Sequence, residues 1–214
     1  MTGTRPDIAY AVGVASRNLE NPTIDDIVKV KRIFRYLKGT QNYGLRYVAG
    51  AGGYLEAFSD ADHAGDVLTG RSTTGVICMY ASCAVSWLSQ RQMSVSLSTT
   101  EAEIVAASEA AKEIVWLQRL YGEVIKLKET PSVMVDNEAA IKLAQNPEYH
   151  RRTKHIRTRH FFIRELVCEE MLDVKKISTT LQVADALTKP IFKPRLEKLR
   201  ESMGLVKLSN EGRC

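Results

Sequence analysis

The sequence lacks the features that would place the chain in a membrane or an oxidising compartment. No apolar run approaches the ~20 residues of a membrane-spanning helix. The N-terminal residues MTGTRPDIAYAV do not join a charged region to an apolar core, so we expect neither an anchor nor a secretion signal. The 4 cysteines are scattered, without a CxxC pair or a histidine at zinc-ligand spacing. This pattern predicts free thiols in a reducing compartment.

The composition is that of an ordinary globular protein. Of the 214 residues, 44% are hydrophobic and 26% are charged, which argues against disorder for most of the chain. This length suffices for one good-sized domain, or for a small domain with attached segments. The formal net charge of +5 suits a polyanionic partner, although so common a balance is weak evidence for nucleic acid by itself.

Hydrophobic periodicity divides the chain into three zones. Residues 1–48 show helical periodicity but are too few for a sizeable core, so we interpret them as the end of a preceding domain. We expect this zone to be mobile or loosely docked, because its apolar stripe suits contact with a domain absent from the chain. Residues 49–190 follow the order β-β-β-α-β-α-α-β-α, which predicts an α/β domain. Residues 191–214 predict a tail with a short amphipathic helix.

Four acidic residues occupy strand ends and helix starts within the middle zone. Asp60 ends the first strand, Asp136 follows the strand SVMVD, and the other two, Glu103 and Asp185, lie early in helices. In a sheet covered by helices, such positions can converge at one edge. For each acid taken alone, a capping or turn role is the commoner explanation. Their joint placement on this order of elements predicts a shared site.

Converging carboxylates require cations between them. Without cations they would repel one another strongly. Carboxylate oxygens suit Mg²⁺ or Mn²⁺, which also bind substrate phosphates. Two such ions about 3.5–4 Å apart can activate a water and stabilise the leaving oxygen in phosphodiester cleavage. The four acids therefore predict a two-metal hydrolytic site.

At these residues the sequence strongly resembles the ribonuclease H domain of Ty1/copia-type retrotransposon Pol polyproteins. The strings that carry the resemblance are FSDADHAGD, WLSQRQMSVSLSTTEAEIVAASEAAKE, VDNEAAIKLAQNP, RTKHIRTRHFFIRELV and QVADALTKP. The zone in front of them resembles the end of the reverse transcriptase that precedes this domain, in the strings RPDIAYAVGVASRNLENP and KRIFRYLKGTQNYGLRY. The resemblance covers nearly the whole chain.

The resemblance implies a ribonuclease H-like fold with a helical N-terminal extension. Its five-stranded mixed sheet has three antiparallel strands first and helices on its faces. Residues 1–48 correspond to a thumb- or connection-like remnant of the reverse transcriptase, residues 49–190 to the ribonuclease H domain, and residues 191–214 to a helical tail. The implied activity is hydrolysis of the RNA strand of RNA–DNA hybrids during reverse transcription, with two Mg²⁺ ions for which Mn²⁺ can substitute.

The resemblance also implies roles for single residues and partners for the chain. Its catalytic and metal-binding acids are Asp60, Glu103, Asp136 and Asp185. The second acid maps to Glu103 rather than Glu101, because the family pattern of Glu, apolar, any residue, Ala fits EIVA. We interpret Asp62 and Asp66 as turn formers. Implied partners are the hybrid and the rest of the polyprotein, including reverse transcriptase and integrase. No membrane is involved, and the location is intracellular, in a cytoplasmic virus-like particle or the nucleus.

The histidines depart from the family pattern. Many relatives carry a histidine in the loop before the fourth acid, where KISTTLQVAD has none. We assign no catalytic role to His155 or His160, which lie earlier. His63 stands where copia-type elements often have tryptophan, a change that removes no metal ligand.

Substrate contacts are expected mainly from basic residues. The stretch HRRTKHIRTRHFFIR predicts either a solvated helix face or phosphate contacts through Arg152, Lys154 and Arg157. Arg91 and Gln92 lie where they can reach the backbone of the hybrid. Gln92 and Asn137 are candidates for recognising RNA 2′-hydroxyls. Both tryptophans, Trp87 and Trp116, lie in apolar periodic runs and are predicted to be in the core.

Two other functions fit the same sequence. A chain that starts inside a would-be polymerase can be a truncated, catalytically inactive remnant that only binds nucleic acid. A resolvase- or integrase-like nuclease of the same fold is the third hypothesis, but such enzymes use fewer acids in a different order. The EIVA motif in the helix argues against that third hypothesis.

Overall fold

The fold is built on a five-stranded mixed sheet. The computed structural model describes residues 2–125, 127–145 and 157–208. The elements, in chain order, are α1 (Ala9–Ala15), α2 (Ile24–Gly39), β1 (Tyr43–Leu45), β2 (Leu55–Ala61), β3 (Thr73–Tyr80), β4 (Cys83–Arg91), α3 (Thr99–Gly122), β5 (Ser132–Val135), α4 (Glu138–Gln145), α5 (Arg157–Cys168), β6 (Asp173–Lys176), α6 (Lys193–Ser202) and β7 (Leu205–Lys207).

The strand order confirms the predicted α/β sheet. It runs β4-β3-β2-β5-β6, with β2, β3 and β4 antiparallel and with β5 and β6 joining in parallel. The β3–β4 turn has φ of +52° at Ala81 and +59° at Ser82. Positive φ at both central residues suits the right-handed twist of a hairpin. The parallel strands β5 and β6 are instead joined by the crossover that carries α4 and α5.

Apolar side chains cover both faces of the sheet. Neighbouring residues of β3 point to opposite faces, so Val76 lies in one buried cluster and Ile77 in the other. The first cluster packs the sheet against α3, α4 and α5 through residues that include Ile104, Ile114, Ala140 and Ile163. The second cluster covers the opposite face and contains Ala9, Leu187, Leu199 and Met203. The sheet that carries the predicted acidic residues is therefore packed on both faces.

Segments from both ends of the described chain build the second face. Ile8 is only 2% exposed, Ala9 belongs to the second cluster, and Trp87 donates its indole N–H to the Thr2 carbonyl at 2.9 Å. Two short strands that no sequence pattern predicts, β1 and β7, pair antiparallel. The expectation that residues 1–48 dock loosely is therefore wrong for their first part, because buried apolar contacts hold it on the sheet.

Helix α2 is the exposed part of this N-terminal zone. Thr23 caps it, accepting from the Asp26 N–H at 3.3 Å, while the Asp26 carboxylate accepts from the Thr23 N–H at 3.0 Å. Its apolar residues nevertheless face outward, with Ile27 and Phe34 at least half exposed. This stripe is the one that the sequence analysis attributed to contact with another domain.

Two other expectations are corrected. Trp116 is 55% exposed, because α3 buries the stripe that contains Ile114 and Leu117 and turns Trp116 outward. Trp87 is half-buried and packs against the second cluster. The expected helix in QVADALTK is a short 3-10 turn, Val183–Leu187.

No helix in the described parts of the chain is long and apolar enough to cross a bilayer.

A buried ionic network fastens the N-terminal segment to α6. Arg5 donates to both Asp7 carboxylate oxygens, at 2.9 and 2.8 Å, and to Thr40 Oγ1 at 2.7 Å. Tyr36 of α2 donates to Asp7 Oδ2 at 2.5 Å and accepts from Arg200 of α6 at 3.0 Å. Burial, followed by the hydrogen bond to Asp7, raises the pKa of Tyr36 to about 12, so its hydroxyl remains a donor at neutral pH.

We predict that Asp7→Ala destabilises the chain strongly. The substitution leaves the Arg5 guanidinium buried without a counter-charge, which costs about 3–5 kcal/mol in comparable pairs. Urea unfolding measures the change. The matched control is Glu129→Ala at an exposed position, with an expected change within about 0.5 kcal/mol. Equal midpoints for the two variants would show that the network does not stabilise the fold.

Candidate metal centre

Three of the four predicted acids meet at one edge of the sheet. Asp60 is the second-last residue of β2, Glu103 lies in the second turn of α3, and Asp136 directly follows β5. One carboxylate oxygen from each lies within 4.8 Å of the others. Asp60 and Glu103 are only 3% and 6% exposed, and Asp136 is half-buried. Residues distant in sequence thus form one acidic cluster.

Burial and neighbouring charges raise the pKa values of Glu103 and Asp60. Desolvation, followed by the charges of Asp60 and Asp136, raises the pKa of Glu103 to about 9. Desolvation likewise raises the pKa of Asp60 to about 6, although a hydrogen bond from Thr188 and the charge of Lys189 oppose the shift. The site therefore disfavours its own negative charge.

The acidic cluster fits a hard divalent cation. Its donors are carboxylate oxygens, the ligand type that Mg²⁺ and Mn²⁺ prefer. Within the described residues, Glu103 Oε2 is buried without a hydrogen-bond partner. A buried carboxylate oxygen left unpaired is costly, and a cation between the three acids would satisfy it.

The fourth acid, Asp185, is paired with basic side chains instead of joining that cluster. It is fully buried in the turn Val183–Leu187, and its carboxylate contacts Lys189 Nζ at 2.5 Å and the Arg195 guanidinium. Lys189 Nζ also lies 3.7 Å from Asp60 Oδ2. Burial alone would lower the pKa of Lys189, but the hydrogen bond to Asp185 and the surrounding carboxylates raise it, so the side chain carries a charge at neutral pH.

Sequence reasoning missed three residues of this site, Thr188, Lys189 and Arg195. Thr188 donates its hydroxyl to Asp60 Oδ2. The spacing of Asp185 and Lys189 is i, i+4, a recognisable ion-pair signal in ADALTK. Arg195 comes from α6 and reaches the site only through the tertiary fold.

Gly75 lets the Asp185 turn approach the sheet. It lies opposite Asp60 in the β2–β3 register. A Cβ at this position would lie 2.7 Å from Thr188 Cγ2, 2.9 Å from the Ala184 carbonyl oxygen and 3.0 Å from Leu187 Cβ. Gln182 strengthens the same contact, because its amide donates to the Ser59 carbonyl at 2.9 Å. A side chain at position 75 would therefore push Asp185 away from Asp60.

The candidate substrate residues of the strand–helix connection are held by internal contacts. Arg91 pairs with Asp66 at 2.5 Å. The Gln92 amide is 5% exposed and donates to Thr74 Oγ1 and to the Ala102 carbonyl, each at 3.0 Å. These contacts favour a supporting role for Gln92, which joins β3 to the start of α3.

The other named residues lie at or beyond the edge of the site. Asn137, next to Asp136, caps α4 by accepting from the Ala140 N–H at 3.0 Å. Arg157 begins α5, and His160 lines a small apolar cavity beside Ile163. Arg152, Lys154 and His155 lie outside the described residues.

The remaining acids of FSDADHAGD behave as turn residues. Asp62 accepts from the Thr73 N–H, and Asp66 accepts from the Thr69 hydroxyl at 2.7 Å. His63 is exposed in the same loop. Asp60 is therefore the acid of this string that faces the cluster.

We predict that Gly75→Ala weakens both the fold and the site. The added methyl group overpacks the contact with the Asp185 turn, which costs about 1–3 kcal/mol. Urea unfolding and calorimetric titration with Mn²⁺ would measure the losses of stability and metal affinity. Gly122→Ala is the control, since nothing lies within 4 Å of a Cβ at that position. Unchanged stability and metal affinity in Gly75→Ala would contradict the close approach.

We predict a pH-dependent stabilisation by Glu103→Gln in the presence of a chelator. The unfolded chain releases the Glu103 proton near the ordinary pKa of 4.5, whereas the folded chain holds it to about 9. Between these values the folded state binds more protons, so its stability falls as pH rises. At pH 8 the free energy of unfolding of the variant should exceed that of the wild type by at least about 1 kcal/mol. This difference should nearly vanish at pH 5.

Urea unfolding across this pH range, with the exposed Glu165→Gln as control, tests the Glu103 effect. A gap that does not change with pH would show that the Glu103 carboxylate is not destabilised by its neighbours.

Comparison with known proteins shows extensive similarity to plant retrotransposon sequences. The chain is 45% identical over 205 residues to the retrovirus-related Pol polyprotein from transposon TNT 1-94 of Nicotiana tabacum, a match covering 96% of this chain and 15% of the relative. It is 38% identical over 206 residues to the Pol polyprotein from transposon RE1 of Arabidopsis thaliana, covering 96% of this chain and 14% of the relative. The chain thus spans a small part of each relative's length. No protein-family model matches it.

The fold has a counterpart among solved structures. LC11-RNase H1, isolated from compost, superposes with a TM-score of 0.50 at 17% identity, covering 64% of this chain and 93% of that chain. Identity this low shows the fold alone, and it confirms the predicted ribonuclease H-like architecture. Because the similarity to transposon sequences extends over 96% of its length, the chain belongs to the Ty1/copia-type retrotransposon Pol polyprotein family. Its fold is ribonuclease H-like.

Proposed function

We propose that the chain is a metal-dependent endonuclease that hydrolyses the RNA strand of RNA–DNA hybrids during retrotransposon reverse transcription. The observation that carries this proposal is the meeting of Asp60, Glu103 and Asp136 within 4.8 Å on a ribonuclease H-like sheet. Ionising Asp60 and Glu103 together at neutral pH is costly, and a bound cation would offset that cost. Hydrolysis of a phosphodiester is a reaction that carboxylate-bound divalent cations catalyse.

The four acids would hold two Mg²⁺ ions, or two Mn²⁺ ions in their place. Asp60, Glu103 and Asp136 would supply oxygens to one ion, and the Asp185 carboxylate, which shares Lys189 with Asp60, would contribute to the second. When bound, the ions supply a nucleophilic water and stabilise the leaving oxygen. The chain itself orients Asp60 through Thr188 and orients Asp185 through Arg195.

Other residues would position the hybrid. We propose phosphate contacts by Arg152, Lys154 and Arg157, because a basic stretch binds the backbone without reading its sequence. Arg91 ends β4 and Asn137 directly follows Asp136; both remain candidates for contacts with backbone and 2′-hydroxyl groups. Gln92 would act indirectly, because its buried amide fixes the start of α3, the helix that carries Glu103.

We further propose that the chain works as part of a longer Pol polyprotein with reverse transcriptase and integrase. The Pol polyproteins that it resembles are far longer than the chain. Residues 1–48 would be the end of the reverse transcriptase, with the exposed apolar side of α2 turned toward its remainder. Taking part in reverse transcription would require the protein to act inside the cell, in a cytoplasmic particle or in the nucleus.

Cleavage of a labelled RNA–DNA hybrid in Mg²⁺ tests the proposed function. We predict that the wild type cuts the RNA strand and that Asp60→Asn and Asp136→Asn each lower the rate at least about 100-fold, since each removes metal-dependent transition-state stabilisation. Glu138→Gln is the matched control, because this exposed acid lies two residues from Asp136 and pairs with surface lysines.

Three other outcomes would contradict the proposed function or its site. Hybrid binding without Mg²⁺-dependent cleavage would identify a catalytically inactive nucleic-acid-binding remnant. Equal cleavage by wild type and Asp60→Asn would exclude the proposed site. Cutting of duplex DNA would favour a resolvase-like nuclease.

A further inference from the structure

Lys189 places a positive charge between Asp60 and Asp185. Its Nζ is 2.5 Å from Asp185 Oδ1 and 3.7 Å from Asp60 Oδ2, so one ammonium group bridges the two carboxylates. Arg195 contacts the other oxygen of Asp185, Oδ2. The charge of Asp185 is therefore balanced by the chain itself, and Lys189 also lies near Asp60 Oδ2.

Glu103 has no such ion pair among the described residues. Its buried oxygen Oε2 has no hydrogen-bond partner there, and Asp185 Oδ1, which likewise lacks a well-aligned hydrogen bond, differs in having Lys189 Nζ at 2.5 Å. The three-acid cluster that contains Glu103 excludes Asp185. One cation position is thus open between three acids, while a neighbouring position, which shares Asp60, holds the Lys189 ammonium.

We propose that Lys189 is an internal cation that limits the substrate-free chain to one tightly bound divalent ion. An ammonium group and a divalent ion repel each other, and they compete for the same oxygens of Asp60 and Asp185. The first ion binds between Asp60, Glu103 and Asp136, because no basic side chain of the described residues hydrogen-bonds Glu103 Oε2, although the Lys189 charge also acts on Glu103. The inference rests on the proposed function, in which two ions act, and it adds that the second ion must displace Lys189.

Removing the ammonium should therefore open the second position. In Lys189→Gln, Asp185 Oδ1 and Asp60 Oδ2 lose their shared cation, while Arg195 still holds Asp185 Oδ2 in place. The variant is expected to bind two Mn²⁺ ions. Lys189→Arg keeps the positive charge and is expected to bind one ion, as the wild type does.

The test is a count of bound Mn²⁺ by calorimetric titration and by the electron paramagnetic resonance signal of free Mn²⁺, without substrate. Lys193→Gln is the control, because it removes an equal charge from an exposed position only four residues away. It should leave the count at one. In the double variant Lys189→Gln/Asp185→Asn the count should return to one, because the second ion needs the Asp185 carboxylate.

Each alternative count would overturn the proposal. Two Mn²⁺ ions bound to the wild type would show that Lys189 does not prevent binding of the second ion. One ion bound to Lys189→Gln would show that removing the ammonium group does not open a second position. A second ion that persists in the double variant would lie elsewhere. Circular dichroism confirms that each variant is folded before its ions are counted. Because the count uses no substrate, failure of this proposal is distinguishable from failure to cleave a hybrid.

Discussion

The repulsion among three carboxylates, two buried and one half-buried, is the constraint on which the rest of this structure depends. Oxygens of Asp60, Glu103 and Asp136 approach within 4.8 Å of one another, and little water reaches Asp60 and Glu103. Such an arrangement opposes folding, because each ionised acid raises the energy of the others. The apolar clusters on the two faces of the sheet offset this cost and hold β2, β5 and α3 in place. The unfavourable cluster is thus available for a cation, and a surface group of acids with freedom to separate would hold that cation less firmly.

The second face of the sheet links the candidate site to the ends of the chain. The Asp185 turn packs in the cluster that also contains Ala9 and Leu199, and Arg195 of α6 holds the Asp185 carboxylate. The network around Arg5 and Arg200 then joins the N-terminal segment to that same helix. A segment that resembles the end of a reverse transcriptase therefore supports the turn that carries the fourth acid. The boundary between the two regions is continuous in packing, even though the sequence resemblance changes there.

Local patterns in the sequence predicted most elements and failed where burial depends on distant partners. The strand preceding Asp60, the capped helix carrying Glu103 and the strand preceding Asp136 follow from period, caps and turn residues, which act within a few positions. Trp116 was predicted in the core because its apolar run has helical spacing, yet the buried stripe of α3 includes Ile114 and Leu117 and leaves it outside. No local pattern predicts the pairing of β1 with β7, since two three-residue strands that lie far apart in the chain carry no signal of their own.

The sequence by itself determined the order of elements, the family and the identity of the acids, because these reside in short strings such as FSDADHAGD and EIVA. Only the tertiary structure decided how the acids are balanced. It brought Asp60, Glu103 and Asp136 together, raised the pKa of Glu103, and placed Lys189 between Asp60 and Asp185. It also buried Gln92, for which the sequence had suggested a contact with the substrate. The physical reason is that desolvation and Coulomb energies depend on distances between residues far apart in the chain, and no local pattern encodes those distances.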